Sequence, residues 1–175
     1  MTAGSLKFFR RGLGFEPMTT QPIPEVYDSL IPSFVVSDAA NAIQFYKQVF
    51  GATEVMRMQY PDSTRIMHAE LKIRNHVLML GDECPEMGAL APQPDAGPPS
   101  TTIMIYVKDV DAVYNKAVSL GAKAVMPPMD MFWGDRYSKI IDPSGHQWGI
   151  ATHIREVSPE ECAKAAAEWG KKQPA

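Results

Sequence analysis

One short motif occurs twice at a fixed distance, and that limits what the chain can fold into. Phe50-Gly51-Ala52 returns as Leu120-Gly121-Ala122, an offset of 121 − 51 = 70. The same offset carries Val55-Met56 to Val125-Met126, Ala42-Ile43 to Ala112-Val113 and Asn75-His76 to Gly145-His146. A constant offset over that much chain means two copies of one supersecondary unit, each needing the other to bury its apolar face.

Each copy reads as βαβββ. Ser33 to Val36 is a short apolar strand followed by the N-cap Ser37-Asp38. Ala42, Ile43, Phe45, Tyr46, Val49 and Phe50 recur at helical spacing, and Gly51 stops the helix. In the second copy Ile103 to Val107 is the strand and Asp109 the cap. Val110, Val113, Ala117 and Leu120 form the helical stripe, and Gly121 ends it. A strand follows each helix, Thr53 to Gln59 and Lys123 to Met126, and a hairpin closes each copy. The hairpins pair Arg65–Ile73 with His76–Leu80, and Tyr137–Ile141 with His146–Ala151, turning at Asn75 and at Ser144-Gly145.

The expected organisation is an N-terminal extension at 1–28 and a domain at 29–157. Within the domain lie module one (29–83), a proline-rich linker (84–100) and module two (101–157); a terminal helix and tail occupy 158–175. Ser158-Pro159-Glu160-Glu161 is a capping box with proline in the first turn, so a helix should run from there to about Trp169. The first fifteen residues are basic and acid-free, but their apolar stretch is too short for a secretory signal, and they read as an added extension. A net charge of −3 gives no reason to expect nucleic acid or an acidic membrane surface as partner. No apolar run approaches the roughly 20 residues of a membrane helix. Two cysteines in unrelated contexts, Cys84 and Cys162, fit a reducing compartment, so a cytoplasmic protein is expected.

The segments Asp38–Ala52 (DAANAIQFYKQVFGA) and Asp142–His153 (DPSGHQWGIATH) resemble the glyoxalase/bleomycin-resistance/dioxygenase, or vicinal oxygen chelate, superfamily. Arg65–Leu71 (RIMHAEL) and Phe132–Tyr137 (FWGDRY) look like its PhnB-like branch. The resemblance implies an α+β fold of two βαβββ modules with curved sheets forming a ligand cup, helices on the outer face, and here an added C-terminal helix. Metal-dependent members place His or Glu on the first and last strand of each copy. Carried onto this chain those positions are Ile31, Met79, Thr102 and Gly149, and no adjacent residue is a histidine or carboxylate. No metal is therefore expected at the usual site, since divalent ions need imidazole, carboxylate or thiolate donors.

His68 and Glu70 share one strand face and point away from Ala69, Leu71 and Ile73. They read either as a base with its orienting carboxylate, or as two ligands of a divalent metal at a non-standard site. Alternatively they are a solvated polar face shared with Lys72. Trp133, Asp135 and Arg136 precede a module-two strand; they either hold a planar or anionic ligand or pair and plug locally. Met79, Met104 and Tyr106 are expected to line the cup with Trp133 and Arg136, as adaptable apolar and aromatic walls. His76 and His146 occupy equivalent turn positions and read as structural, and His153 as a rim residue. The function expected first is a metal-free binder of a small organic molecule, acting as a homodimer. The alternative is a lyase, isomerase or dioxygenase-type enzyme using His68 and Glu70. A ligand-free structural module comes third.

Overall fold

The structure is a computed structural model that describes residues 22–24, 27, 30–93 and 97–171. The basic arm read as an extension lies outside the described residues up to 21. Module one runs β1 (Ser33–Val36), α1 (Ala39–Phe50), β2 (Thr53–Gln59), β3 (Ile66–Ile73) and β4 (His76–Asp82). Module two repeats it as β5 (Thr102–Tyr106), α2 (Val110–Ser119), β6 (Lys123–Asp130), β7 (Asp135–Ile141) and β8 (Gln147–His153), before α3 (Pro159–Gly170). The sheets have matching orders, β1-β4-β3-β2 and β5-β8-β7-β6. In each, the first strand lies parallel to the last and the remaining pairs are antiparallel.

The helices start and stop where their end chemistry dictates. Asp38 accepts from Asn41 N at 3.0 Å and Asp109 from Ala112 N at 2.9 Å. A second anchor comes from the strand behind: Asp82 Oδ1 takes Ala39 N at 2.7 Å, and at the equivalent place Thr152 Oγ1 takes Val110 N at 2.9 Å. Gly51 ends α1 at φ 66, a left-handed conformation that costs glycine least. The capping box of α3 forms as expected, with Ser158 and Glu161 bonding reciprocally.

Three details depart from the sequence reading. β6 runs on through Pro127-Pro128 to Asp130, because it is an edge strand and needs no ladder bond on its outer side. In α2 the buried stripe is Val110, Tyr114 and Ala117 rather than one passing through Val113. The linker is partly built, with a short 3-10 turn at Pro85–Met87, a Cys84–Ala89 bridge, and Ala91 buried with its N–H on Glu83.

The core joins the modules. α1 packs on α2, and Phe34, Tyr46 and Phe50 of module one meet His146 and Trp148 of module two. Phe34 stacks on His146 at 4.0 Å, and the imidazole Nε2 lies 3.0 Å from the Val35 carbonyl, so His146 is a structural bridge. At the centre sits the buried Asp142 carboxylate. It accepts from Tyr46 OH at 2.6 Å, Trp148 Nε1 at 2.8 Å, Ser144 N at 2.9 Å and His146 N at 3.0 Å. Only the first of these donors comes from the other module.

This geometry sets an order of stabilities. Asp142→Ala strands two buried donors and should cost about 3–5 kcal/mol, whereas Tyr46→Phe leaves Asp142 its other three donors and should cost about 1.5–3 kcal/mol. Urea denaturation checks this, and a smaller loss for Asp142→Ala than for Tyr46→Phe would contradict it.

Candidate functional site

Strand alternation splits each sheet into a helix-covered face and a helix-free face. On β3, Ala69 and Leu71 are buried in the core, while His68 and Glu70 lie on the helix-free side with Met58 and Met56 opposite them on β2 and Met79 opposite Glu70 on β4. His68 Nε2 stands 3.4 Å from Glu70 Oε1, a long contact. The same oxygen accepts a much shorter bond, 2.6 Å, from Tyr27 OH. The phenol ahead of β1 is thus Glu70's stronger partner, and Glu70 as a residue is only 7% exposed.

Module two presents a different helix-free face. Met104 and Tyr106 of β5 stand beside Gly149 and Ala151 of β8, with Tyr137 across from Ala151 on β7. Asp135 and His153 are direct cross-strand partners, and their side chains meet at 2.9 Å through Nδ1. Asp135 is buried and also accepts from Tyr106 OH at 2.7 Å and Trp133 Nε1 at 3.1 Å. Burial pushes the Asp135 carboxyl upward, but the Tyr106, His153 and Trp133 donors outweigh it and hold it below the usual carboxylate range. The hydrogen bond to Asp135 in turn holds the His153 imidazole above its ordinary value.

The seven residues singled out from the sequence therefore fall into three places. His68, Glu70 and Met79 share the helix-free face of module one. Met104, Tyr106 and Trp133 belong to module two and gather near Asp135. Arg136 is turned the other way, because it follows Asp135 on β7. Its guanidinium is held by Asp111 of α2 at 2.6 and 2.8 Å and by Asp130 at 2.8 Å, so its charge is already spent. The Asp135–His153 pair was missed because its two members are eighteen residues apart and only the β7–β8 register brings them opposite one another.

The residues at the superfamily's metal positions do not fit a divalent ion. Thr102 accepts a hydrogen bond from Gln147, and Met79 offers only a thioether. At Gly149 there is no side chain to ligate, and an added Cβ would have to displace Met104 Sδ and the Tyr137 hydroxyl. Among the described residues, no group of three or more His, Cys, Asp or Glu is placed to hold a metal.

The Asp135–His153 pair has a defined pH window. Asp135, with its lowered value, stabilises the fold above about pH 4, and that contribution is lost as pH falls through the folded value. His153, with its raised value, contributes fully below about pH 6.5 and loses this as pH rises through the folded value. The pair is at full strength between those limits. Imidazole NMR should place the His153 titration above the ordinary histidine value, and Asp135→Asn should bring it back down. A parent His153 titrating at or below about 6.5 would contradict the pairing.

Comparison with known proteins agrees with this architecture. The profile of the Glyoxalase/Bleomycin resistance protein/Dioxygenase superfamily matches residues 30–150. A protein of Mycobacterium bovis, itself described as uncharacterized, is 39% identical over 148 residues, covering 83% of this chain and 96% of its own. TioX from Micromonospora sp. ML1 superposes with a TM-score of 0.56 at 25% identity, covering 73% of this chain and 99% of that one. A PhnB protein from Bacillus cereus has the same fold, with a TM-score of 0.57 at 15% identity over 71% of this chain and 99% of that one. The chain belongs to the glyoxalase/bleomycin resistance protein/dioxygenase superfamily.

Proposed function

We propose that this protein binds a small organic molecule on the helix-free faces of its sheets, without the divalent metal used by other members of the superfamily. The observation that carries the reading is Gly149: it has no ligating side chain, and the thioether of Met104 and the phenol of Tyr137 stand against it as an apolar and aromatic wall. The helix-free face of module two is apolar and aromatic, with Met104, Tyr106, Met129 and Trp133 left exposed in the single chain, and Met58 is exposed on that of module one. Thioethers adapt to irregular ligands, and Tyr and Trp offer flat area with a polar end. Residues 29–157 form the unit that does this. The RIMHAEL and FWGDRY segments support a PhnB-like reading within the superfamily.

The functional form we infer is a homodimer. An exposed apolar face of this kind on a single chain marks a contact surface, and a second copy laid against it closes an open sheet into a cup. Both cysteines are free, which supports a reducing compartment such as the cytoplasm. Among the described residues, no helix is long and apolar enough to cross a membrane.

Native mass spectrometry of the full chain tests assembly and ligand together, the expected species being a dimer that carries organic mass. Trp133→Ala should weaken binding of a planar aromatic probe about tenfold by fluorescence titration, a loss of about 1.4 kcal/mol. Undiminished affinity would remove Trp133 from the site. Elemental analysis after dialysis without chelator should find no stoichiometric zinc, nickel, iron or manganese. Metal retained in both the parent and His68→Ala would overturn the metal-free reading, and metal lost only in His68→Ala would favour an enzyme built on His68 and Glu70.

A further inference from the structure

The two modules meet at two clefts, and the repeat relates one to the other. The larger, about 570 Å³, is lined by Phe50, Arg74, Ile105, Val107, Lys108 and His153, among others. The smaller, about 360 Å³, is lined by Ser37, Asp38, Leu120, Pro143 and Ser144, among others. Leu120 follows α2 where Phe50 ends α1, an offset of 120 − 50 = 70. Lys108 stands immediately before the cap Asp109, as Ser37 stands before the cap Asp38. Pro143 and Ser144 form the second hairpin's turn where Arg74 begins the first.

This internal comparison separates what the fold needs from what it does not. The smaller cleft is built without a lysine or arginine in its lining and includes the Asp38 carboxylate. The larger has two permanent cations and no carboxylate in its lining. Among the described residues neither Arg74 nor Lys108 has an ion-pair partner, whereas Arg57 and Arg136 both do. Among the described residues the Arg74 guanidinium makes one hydrogen bond, from Nη1 to the Tyr106 carbonyl at 3.1 Å, which fixes the side chain without neutralising it. Arg74 also sits at φ 55, a left-handed conformation that glycine, asparagine or aspartate adopts at lower cost. The turn therefore keeps an arginine against its local preference. His153 reaches the cleft wall as well, but Asp135 takes its Nδ1, and Glu156, almost fully exposed, stands 3.4 Å from its Nε2.

We propose that the larger cleft is a binding site for a small organic anion, with a carboxylate or phosphate held between Arg74 and Lys108 and an apolar body against Phe50, Ile105 and Val107. Guanidinium and ammonium together suit such a group, one as a flat fork and the other as a mobile point charge. The site lies beside the helix-free face of module two, shares Tyr106 and His153 with that neighbourhood, and does not depend on a ligand being bound there.

Benzoate and inorganic phosphate, each titrated into the isotope-labelled full chain at constant ionic strength against a chloride control, test this by amide NMR. Benzoate should give saturable shifts at Arg74, Val107 and Lys108, and phosphate should move Arg74 and Lys108 while leaving Phe50 and Ile105 unmoved. Arg74→Asn combined with Lys108→Gln should weaken benzoate at least tenfold with the remaining spectrum and thermal midpoint unchanged; asparagine tolerates the left-handed turn. Non-saturating shifts, phosphate binding without benzoate, or a double variant that binds like the parent would overturn the proposal. So would shifts centred on Ser37 and Ser144, while shifts centred on Met56 and Met79 would overturn it and locate the ligand on the helix-free face of module one instead.

Discussion

The buried carboxylate of Asp142 is the point on which the joining of the two modules depends. A carboxylate is expensive to remove from water, and four donors meet that cost here. Two backbone donors fix the turn of the second hairpin, the Trp148 indole ties the turn to the core, and the Tyr46 phenol ties it to α1. Asp142 precedes that turn where Ile73 precedes the first, so one copy packs an apolar side chain at the place where the other carries a polar hub. The aromatic cluster of Phe34, Phe50, His146 and Trp148 then fills the junction around it. Burial supplies most of the driving force, but apolar burial is non-directional. The directional bond from Tyr46 to Asp142 sets how α1 meets the hairpin turn of the second module.

Much of this architecture was legible because it rests on local signals, the helix caps of the two copies among them. Asp38, Asp109, Gly51 and the Ser158–Glu161 box each act within a few residues, and each lies at an element boundary. The elements that escaped are those decided by distant partners. Pro127-Pro128 argued against a strand, yet β6 tolerates them as an edge. Arg136 looked like a rim residue because it adjoins Trp133 and Asp135, but a single step along β7 turns it toward Asp111 on α2. Asp142 stood in a motif of the family while its partner Tyr46 lay 96 residues away. The bond from Tyr27 to Glu70 joins a stretch with no periodicity to a strand that has it, and nothing in the sequence alone pointed to it.

The two helix-free faces carry different side chains at matching places. Glu70 opposes Met79 in module one, and at the matching place in module two Lys139 opposes Gly149. His68 gives way to Tyr137 by the same correspondence, each lying two residues earlier on its strand. Where a Cβ at Gly149 would stand lie the ends of the Met104 and Tyr137 side chains. A carboxylate at Gly149 would displace the ends of both neighbours, and Met79 and Thr102 would still offer no imidazole or carboxylate, so one substitution does not build a metal site.

The repeat also supplies a control that a single-copy fold lacks. Where both copies hold the same residue type at one place, as with Asp38 and Asp109, the fold itself accounts for it, because both helices need the same cap. Where they differ at a place of equal geometry, the fold demands neither choice. The junction clefts are of the second kind: serine and proline suffice at one end, while arginine and lysine stand at the other with no acid facing them. The bond to the Tyr106 carbonyl holds the Arg74 guanidinium in place but leaves its charge unmatched, and a charge unmatched in a concavity is open to what comes to the cleft from outside.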